Sequence, residues 1–156
     1  MTSIETRGNV AIFGAFGYEL DLNKLTDEEL KIVREQISFV KKHQKLIHQG
    51  TFYRLKSPFE DNIVSWMVVS EDKKQAIVGY YKILNDVNCP YRRLYLKGLD
   101  ENTQYKIDGF DTTFYGDELM NIGLVVSDSS SGQNHVQNYK EPTYDFQSRI
   151  WVINGI

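Results

Sequence analysis

The sequence predicts an α+β fold: a strand and one long helix, followed by a mainly antiparallel β-sandwich. Three observations predict it. A four-residue apolar run, Val10–Phe13, precedes a capped amphipathic stretch from Thr26 to Ile47. After Thr51 the apolar period drops from about 3.6 residues to about 2, the change that separates helix from half-buried strand. The ten Tyr, eight Phe and two Trp fit that second part, because rings favour pleated, half-buried surfaces.

The elements follow in order. Val10 to Phe13 is apolar without alternation, the pattern of a strand buried on both faces. Gly14 and Gly17 follow it and open a loop. The helix begins at a capping box in which Thr26 caps and Glu29 answers three residues later, with Leu25 and Leu30 as a hydrophobic staple. Leu30, Val33, Ile37, Val40 and Ile47 mark its apolar stripe, and Gly50 stops it. Strands are expected at Thr51–Leu55, Ile63–Ser70, Gln75–Leu84, Arg93–Leu99, Thr103–Ile107, Thr112–Tyr115 and Asp145–Asn154. Turn residues separate them at Ser57-Pro58, Glu71–Lys73, Asn88–Pro90 and Asp108-Gly109. Ser127 to His135 is a polar loop.

This order divides the chain into residues 1–48 and 49–156. A doubly buried strand normally has βαβ neighbours, and one β–α unit alone has nowhere to hide both faces. The Val10–Phe13 run and the helix stripe are therefore expected to drive self-association through the first 48 residues, or to leave residues 1–20 without fixed structure.

Composition narrows the function. A formal net charge of −3, with Arg92-Arg93 as the one tight basic pair, does not build a phosphate-binding face, so no nucleic-acid partner is expected. No run approaches the ~18 apolar residues that span a bilayer, and Met1 to Arg7 lacks the basic start and long apolar run of a signal peptide, so none is expected. Cys89 is alone, which excludes an internal disulfide and points to a reducing, cytoplasmic setting.

Candidate sites each have a plainer explanation. Glu19 and Asp21 share one side of an extended segment as an acid/base pair would, but they also suit a solvated loop. Asp27, Glu28 and Glu29 complement the helix dipole without needing a metal. Asp117 and Glu118 open a short helical turn. His43 and His48 are five apart, off the ligand spacing of three or four, and His135 is remote; no metal site or cofactor is expected. No Gly-Lys-Ser/Thr follows Gly14 and Gly17, so they form no P-loop. Cys89 sits between Asn88 and Pro90 in a turn, with nothing to activate it. Tyr80, Tyr81, Tyr91, Tyr95 and Tyr105 are spread over strands, with Trp66 and Trp151 expected in the core; a sugar-stacking platform is the alternative.

The same residues resemble a known family. TRGNVAIFGAFGYELDL at Thr6–Leu22 is similar to the last barrel strand, and the loop after it, of glycoside hydrolase family 36 α-galactosidases. The segment from Leu25 to Leu55 resembles the last barrel helix and the lead into the C-terminal β domain. SPFEDN at Ser57–Asn62, Trp66–Tyr81, Leu96–Ile107 and GDELMNIGL at Gly116–Leu124 resemble that domain in the family's order. The resemblance implies a parent with a (β/α)₈ barrel between two β domains, hydrolysing terminal α-galactosides with retention through two carboxylates about 5–5.5 Å apart. Those aspartates lie on earlier barrel strands, so no catalytic residue is assigned here. Gly14, Ala15 and Phe16 are expected to line the sugar pocket of the intact enzyme, because barrel strands end at the active site. The expected partners are the upstream barrel or a second copy, with α-galactoside sugars only in the intact enzyme. The alternative is a freestanding carbohydrate-binding or interaction module without catalysis.

Overall fold

A computed structural model describes residues 2–84, 92–126 and 145–156. The Asn88–Pro90 turn, Cys89, Tyr91, the Ser127–His135 loop and His135 lie outside the described residues.

The chain opens with helix α1 (Ile4–Ala11), then a single 3₁₀ turn at Leu22–Lys24, and then the long helix α2 (Asp27–Gln49). Strands β1 (Thr51–Lys56), β2 (Ile63–Val69), β3 (Gln75–Lys82), β4 (Arg93–Leu94), β5 (Gln104–Ile107) and β6 (Thr113–Tyr115) follow. A short helix α3 (Gly116–Asn121), β7 (Leu124–Val125) and β8 (Gln147–Gly155) complete it.

The expected strand at Val10–Phe13 is not formed: Val10 and Ala11 end α1, and Ile12 continues in helical conformation. A four-residue apolar run does not distinguish buried strand from buried helix. Here Ser3 caps the helix by accepting from Thr6 N, and Ile4, Gly8 and Ile12, four apart, form its buried edge. Residues 4–11 thus form a helix, contrary to the expectation that they lack fixed structure.

Helix α2 forms as expected, with both bonds of the Thr26–Glu29 capping box present. Its buried edge is rotated from the expected stripe. Val33, Gln36, His43 and Leu46 are buried, while Leu30, Ile37 and Val40 are half-buried. Gly50 ends the helix where no side chain fits: a Cβ there would stand 2.6 Å from Val68 Cγ2 and 2.8 Å from Val69 O.

The six-stranded sheet has the order β1-β2-β3-β8-β5-β6. All its pairings are antiparallel. The last strand inserts between β3 and β5, so the chain's end is locked into the middle of the sheet. One face carries the main core, including Met67, Val78, Tyr105, Ile107, Trp151 and Ile153. The other face, with Val68, Ile77 and Val152, packs on Leu46, Phe39 and Ile47 of α2. Because both faces are covered, β2 and β3 are apolar along nearly their whole length.

The layer opposite α2 is thinner than a full sandwich sheet. The expected strand Arg93–Leu99 is regular only at Arg93–Leu94, which pairs with β7, and Leu96, Leu99 and Leu119 fill the rest of that layer. The fold is therefore mixed helix and mainly antiparallel sheet.

Candidate functional site

The N-terminal helix is held on the sheet by a few specific contacts. Asn9 Nδ2 donates to Ser148 Oγ (2.9 Å), Ser148 Oγ to Thr6 Oγ1 (3.0 Å), and Thr6 Oγ1 to Phe146 O (3.3 Å). Gln36 Nε2 donates to the carbonyls of Ile4 (3.3 Å) and Glu5 (3.1 Å). Gly8 lets α1 approach that amide, because any Cβ there would collide with Gln36.

Beyond α1, Phe13 drops onto the sheet among Phe52 (6.4 Å between ring centroids) and Trp66 (6.0 Å). Trp66 in turn lies against Tyr81 (4.9 Å). Burial raises the Tyr81 hydroxyl far above the usual phenol range, and this hydroxyl donates to Asn9 O (2.7 Å). Trp66 Nε1–H is buried and makes no geometric hydrogen bond among the described residues, although it lies close enough to Tyr81 to ease that phenol's ionisation slightly.

The candidate pocket residues come next. Gly14 and Ala15 are exposed and Phe16 is half-buried, immediately after α1. Residues 15–19 are neither helical, turned nor bent. Phe16 and Tyr18 stand on one side with centroids 5.3 Å apart, and Tyr18 OH donates to Gln36 Oε1. Residues 15–19 thus follow the apolar run without forming a regular element.

Clefts among the described residues include two with polar groups at their walls. One, about 310 Å³, lies between α1 and α2 over Ile12, Ile32, Phe39 and Ile150. Glu5 and Glu35 rim it, but both are exposed and Glu35 faces Lys31 at 3.9 Å, which makes a solvated pair. The second, about 210 Å³, holds Asp61 paired with Arg92 (2.9 Å) and, more loosely, with Lys56 (3.9 Å).

The other sequence candidates take structural roles. Asp21 accepts from Asn23 N (3.1 Å) and starts the 3₁₀ turn, while Glu19 is exposed beside it. Glu29 answers Thr26 N (2.9 Å), and Asp117 accepts from Glu118 N (2.7 Å) in the first turn of α3. His43 is buried against Phe39 (4.5 Å), whereas His48 is exposed. Burial, with Lys42 adding to it, lowers the His43 pKa against a smaller upward pull from Asp108. Among the described residues no three His, Cys, Asp or Glu gather into a metal-binding group. Nor is any helix long and apolar enough to cross a membrane. Tyr80, Tyr81, Tyr105 and Trp151 are core, while Tyr95 is half exposed.

The fold defines the class first: a helix-backed antiparallel β domain with a helical lead segment whose side chains serve packing and capping. Comparison with known proteins then gives the family. The model of the glycosyl hydrolase family 36 C-terminal domain matches residues 63–153, and the Melibiase model matches residues 1–50. The chain belongs to glycosyl hydrolase family 36 and corresponds to a C-terminal portion of its α-galactosidases. It is 42% identical over all 156 residues to the α-galactosidase AgaA of Geobacillus stearothermophilus. It is 39% identical over 124 residues, 80% of the chain, to the bifunctional α-galactosidase/sucrose kinase AgaSK of Mediterraneibacter gnavus, spanning 13% of that protein. A crystal structure of a Geobacillus AgaA variant with raffinose superposes with a TM-score of 0.87 at 40% identity, over 100% of this chain and 20% of that one. The α-galactosidase of Lactobacillus brevis gives the same TM-score, 0.87, at 44% identity and the same coverages of 100% and 20%. The chain thus spans about a fifth of AgaA, 20% of its length.

Proposed function

We propose that this chain is the C-terminal structural portion of a retaining α-galactosidase and is catalytically silent alone. Residues 1–48 are the last part of the catalytic barrel and residues 49–156 the C-terminal β domain that braces it. In the intact enzyme Gly14, Ala15 and Phe16 border the pocket for the terminal galactosyl group. The upstream barrel is the partner, and the compartment is the cytoplasm, on the strength of the lone Cys89.

One observation carries the reading: the chain matches α-galactosidase AgaA along its whole length while spanning 20% of it. Hydrolysis with retention needs two facing carboxylates on opposite sides of the scissile bond. Among the described residues Asp21, Glu29 and Asp117 serve as caps, Glu35 faces Lys31 in an exposed pair, and Asp61 is held by Arg92.

Assay of the purified chain on a chromogenic α-galactoside tests it. The expected result is no turnover above the buffer rate and no calorimetric heat with raffinose. Turnover that follows the chain through successive columns would sink the proposal.

A further inference from the structure

We propose that Gln36 is a positioning residue of the intact enzyme: through the Tyr18 hydroxyl it fixes where Phe16 stands at the border of the galactosyl pocket. The inference rests on the reading above that Gly14, Ala15 and Phe16 border that pocket, and it adds a residue of α2 that touches no sugar.

Gln36 is a polar side chain in a place helices usually give to apolar ones: it lies within α2 and is 7% exposed. A buried amide is costly unless its hydrogen-bonding groups are used, and here they are. Nε2 donates to Ile4 O and Glu5 O, and Oε1 accepts from Tyr18 OH. Carbonyls only accept, so Nε2 must face them and the phenol must be the donor at Oε1. Burial raises the Tyr18 pKa, which keeps that proton in place. The two carbonyls belong to the first turn of α1, and an α-helix bonds such groups internally, four residues on. The amide is therefore not needed to complete α1. What it adds is a joint between α1, α2 and the segment that leaves α1.

That segment has little else to hold it. Residues 15–19 form no regular element, and among the described residues no backbone–backbone hydrogen bond reaches them. Gly17 adds no stiffness between its two aromatic neighbours. Phe16 packs edge to face with Tyr18, so the contacts run from Gln36 to Tyr18 to Phe16. A shift of the phenol moves the ring that borders the sugar. No carboxylate of this chain reacts, so a displaced Phe16 weakens the ground state and the transition state alike.

Two measurements test it. In the full chain, chymotrypsin nicking after Phe16 is followed by mass spectrometry against nicking after Phe59, which is 96% exposed and serves as internal reference. Tyr18→Phe removes one hydroxyl and keeps both rings and both cleavage sites, whereas Gln36→Leu removes the whole joint. Each should raise relative nicking after Phe16 by about 3- to 10-fold, as a lost hydrogen bond opens the segment locally. Unchanged nicking in both variants overturns the proposal.

The second measurement uses Geobacillus AgaA carrying this chain in place of its matching terminal region, with a thermal melt for each variant. On a chromogenic α-galactoside, Tyr18→Phe should raise KM by about 3- to 10-fold and leave kcat within about 2-fold. Ser148→Ala releases Asn9 and Thr6 of α1 but not the Tyr18–Gln36 bond, and should leave KM unmoved. An unchanged KM in Tyr18→Phe overturns the proposal. So does an equal rise in Ser148→Ala, because support of α1 is then the whole role of Gln36. A parental graft without turnover defeats the underlying reading and this inference with it. The two failures are told apart because in the second the parental graft is active.

Discussion

The central sheet and the N-terminal segment are both rich in apolar residues, yet they are held in different ways. In β2, β3 and β8 the partner strands and both faces come from the chain itself, and Met67, Ala76, Ile77, Val78 and Ile153 have no exposure. Residues 4–20 have none of that redundancy. Helix α1 is eight residues of IETRGNVA, too short and too poor in helix formers to persist alone, and Gly8 costs it about 1 kcal/mol relative to Ala. It stays in place through the Thr6–Asn9–Ser148 bonds, the Gln36 amide and the Phe13 ring. Burial on two faces makes a structure self-sufficient, whereas a few side-chain anchors make one that borrows its stability from a neighbour.

The largest expected effect lies in the sheet. Tyr105 is fully buried; its hydroxyl accepts from Asp100 N (2.9 Å) and donates to Lys73 O (2.8 Å). Tyr105→Ala should cost about 3–5 kcal/mol in denaturant unfolding. Tyr105→Phe, which strands both backbone partners, should cost about 1–3 kcal/mol. A Tyr105→Ala chain as stable as the parent would break the contrast between the two regions.

A smaller effect is expected where the regions meet. A Cβ on Gly79 would stand 2.5 Å from the Tyr81 hydroxyl oxygen and 2.8 Å from Phe13 Cε2. Gly79→Ala should therefore dislodge Phe13 at about 1–3 kcal/mol. The near-ultraviolet signal of Trp66 should change while the cooperative melt of the sheet survives. Loss of both signals together would show that the segment and the sheet are one unit.

Thr26→Ala removes one half of the capping box and should cost about 1 kcal/mol, read as a lower melting temperature with the sheet's far-ultraviolet signature unchanged.

The mildest test is pH. The folded His43 pKa lies below its unfolded value, so the unfolded chain binds the extra proton first and stability falls as pH drops below about 6.5. Tyr81 and Tyr105 are raised by burial, so stability falls again as pH climbs past about 10, where the unfolded phenols ionise first. His43→Gln should flatten the acid limb and leave the alkaline one. An acid limb unchanged in that variant would assign the loss to other groups.

The same contrast explains what was legible in the sequence. The Thr26–Glu29 box and the strands expected at Ile63–Ser70 and Gln75–Leu84 are local or strongly patterned and reappear with small shifts at their ends, although β2 and β3 are buried on both faces and not alternately as a period near 2 implies. The stripe on α2 was misplaced because Gln36 and His43, polar by composition, are buried by their partners Ile4, Tyr18 and Phe39. Val10–Phe13 is ambiguous because a four-residue run carries no period, and in the structure Val10 is exposed while Ile12 is buried and Phe13 half-buried. Residues 15–19, free of turn and bend, look like loop in the sequence because Gly14 and Gly17 precede and interrupt them. The thinness of the second layer had no sequence signal, because Leu96 and Leu99 are buried without belonging to a strand.

The most direct test of the central claim is a graft: replace the matching terminal fifth of Geobacillus AgaA with this chain and measure α-galactoside hydrolysis beside the chain alone. The account predicts turnover by the folded chimera and none by the chain. A folded chimera without turnover, or a chain that hydrolyses the substrate by itself, would contradict it.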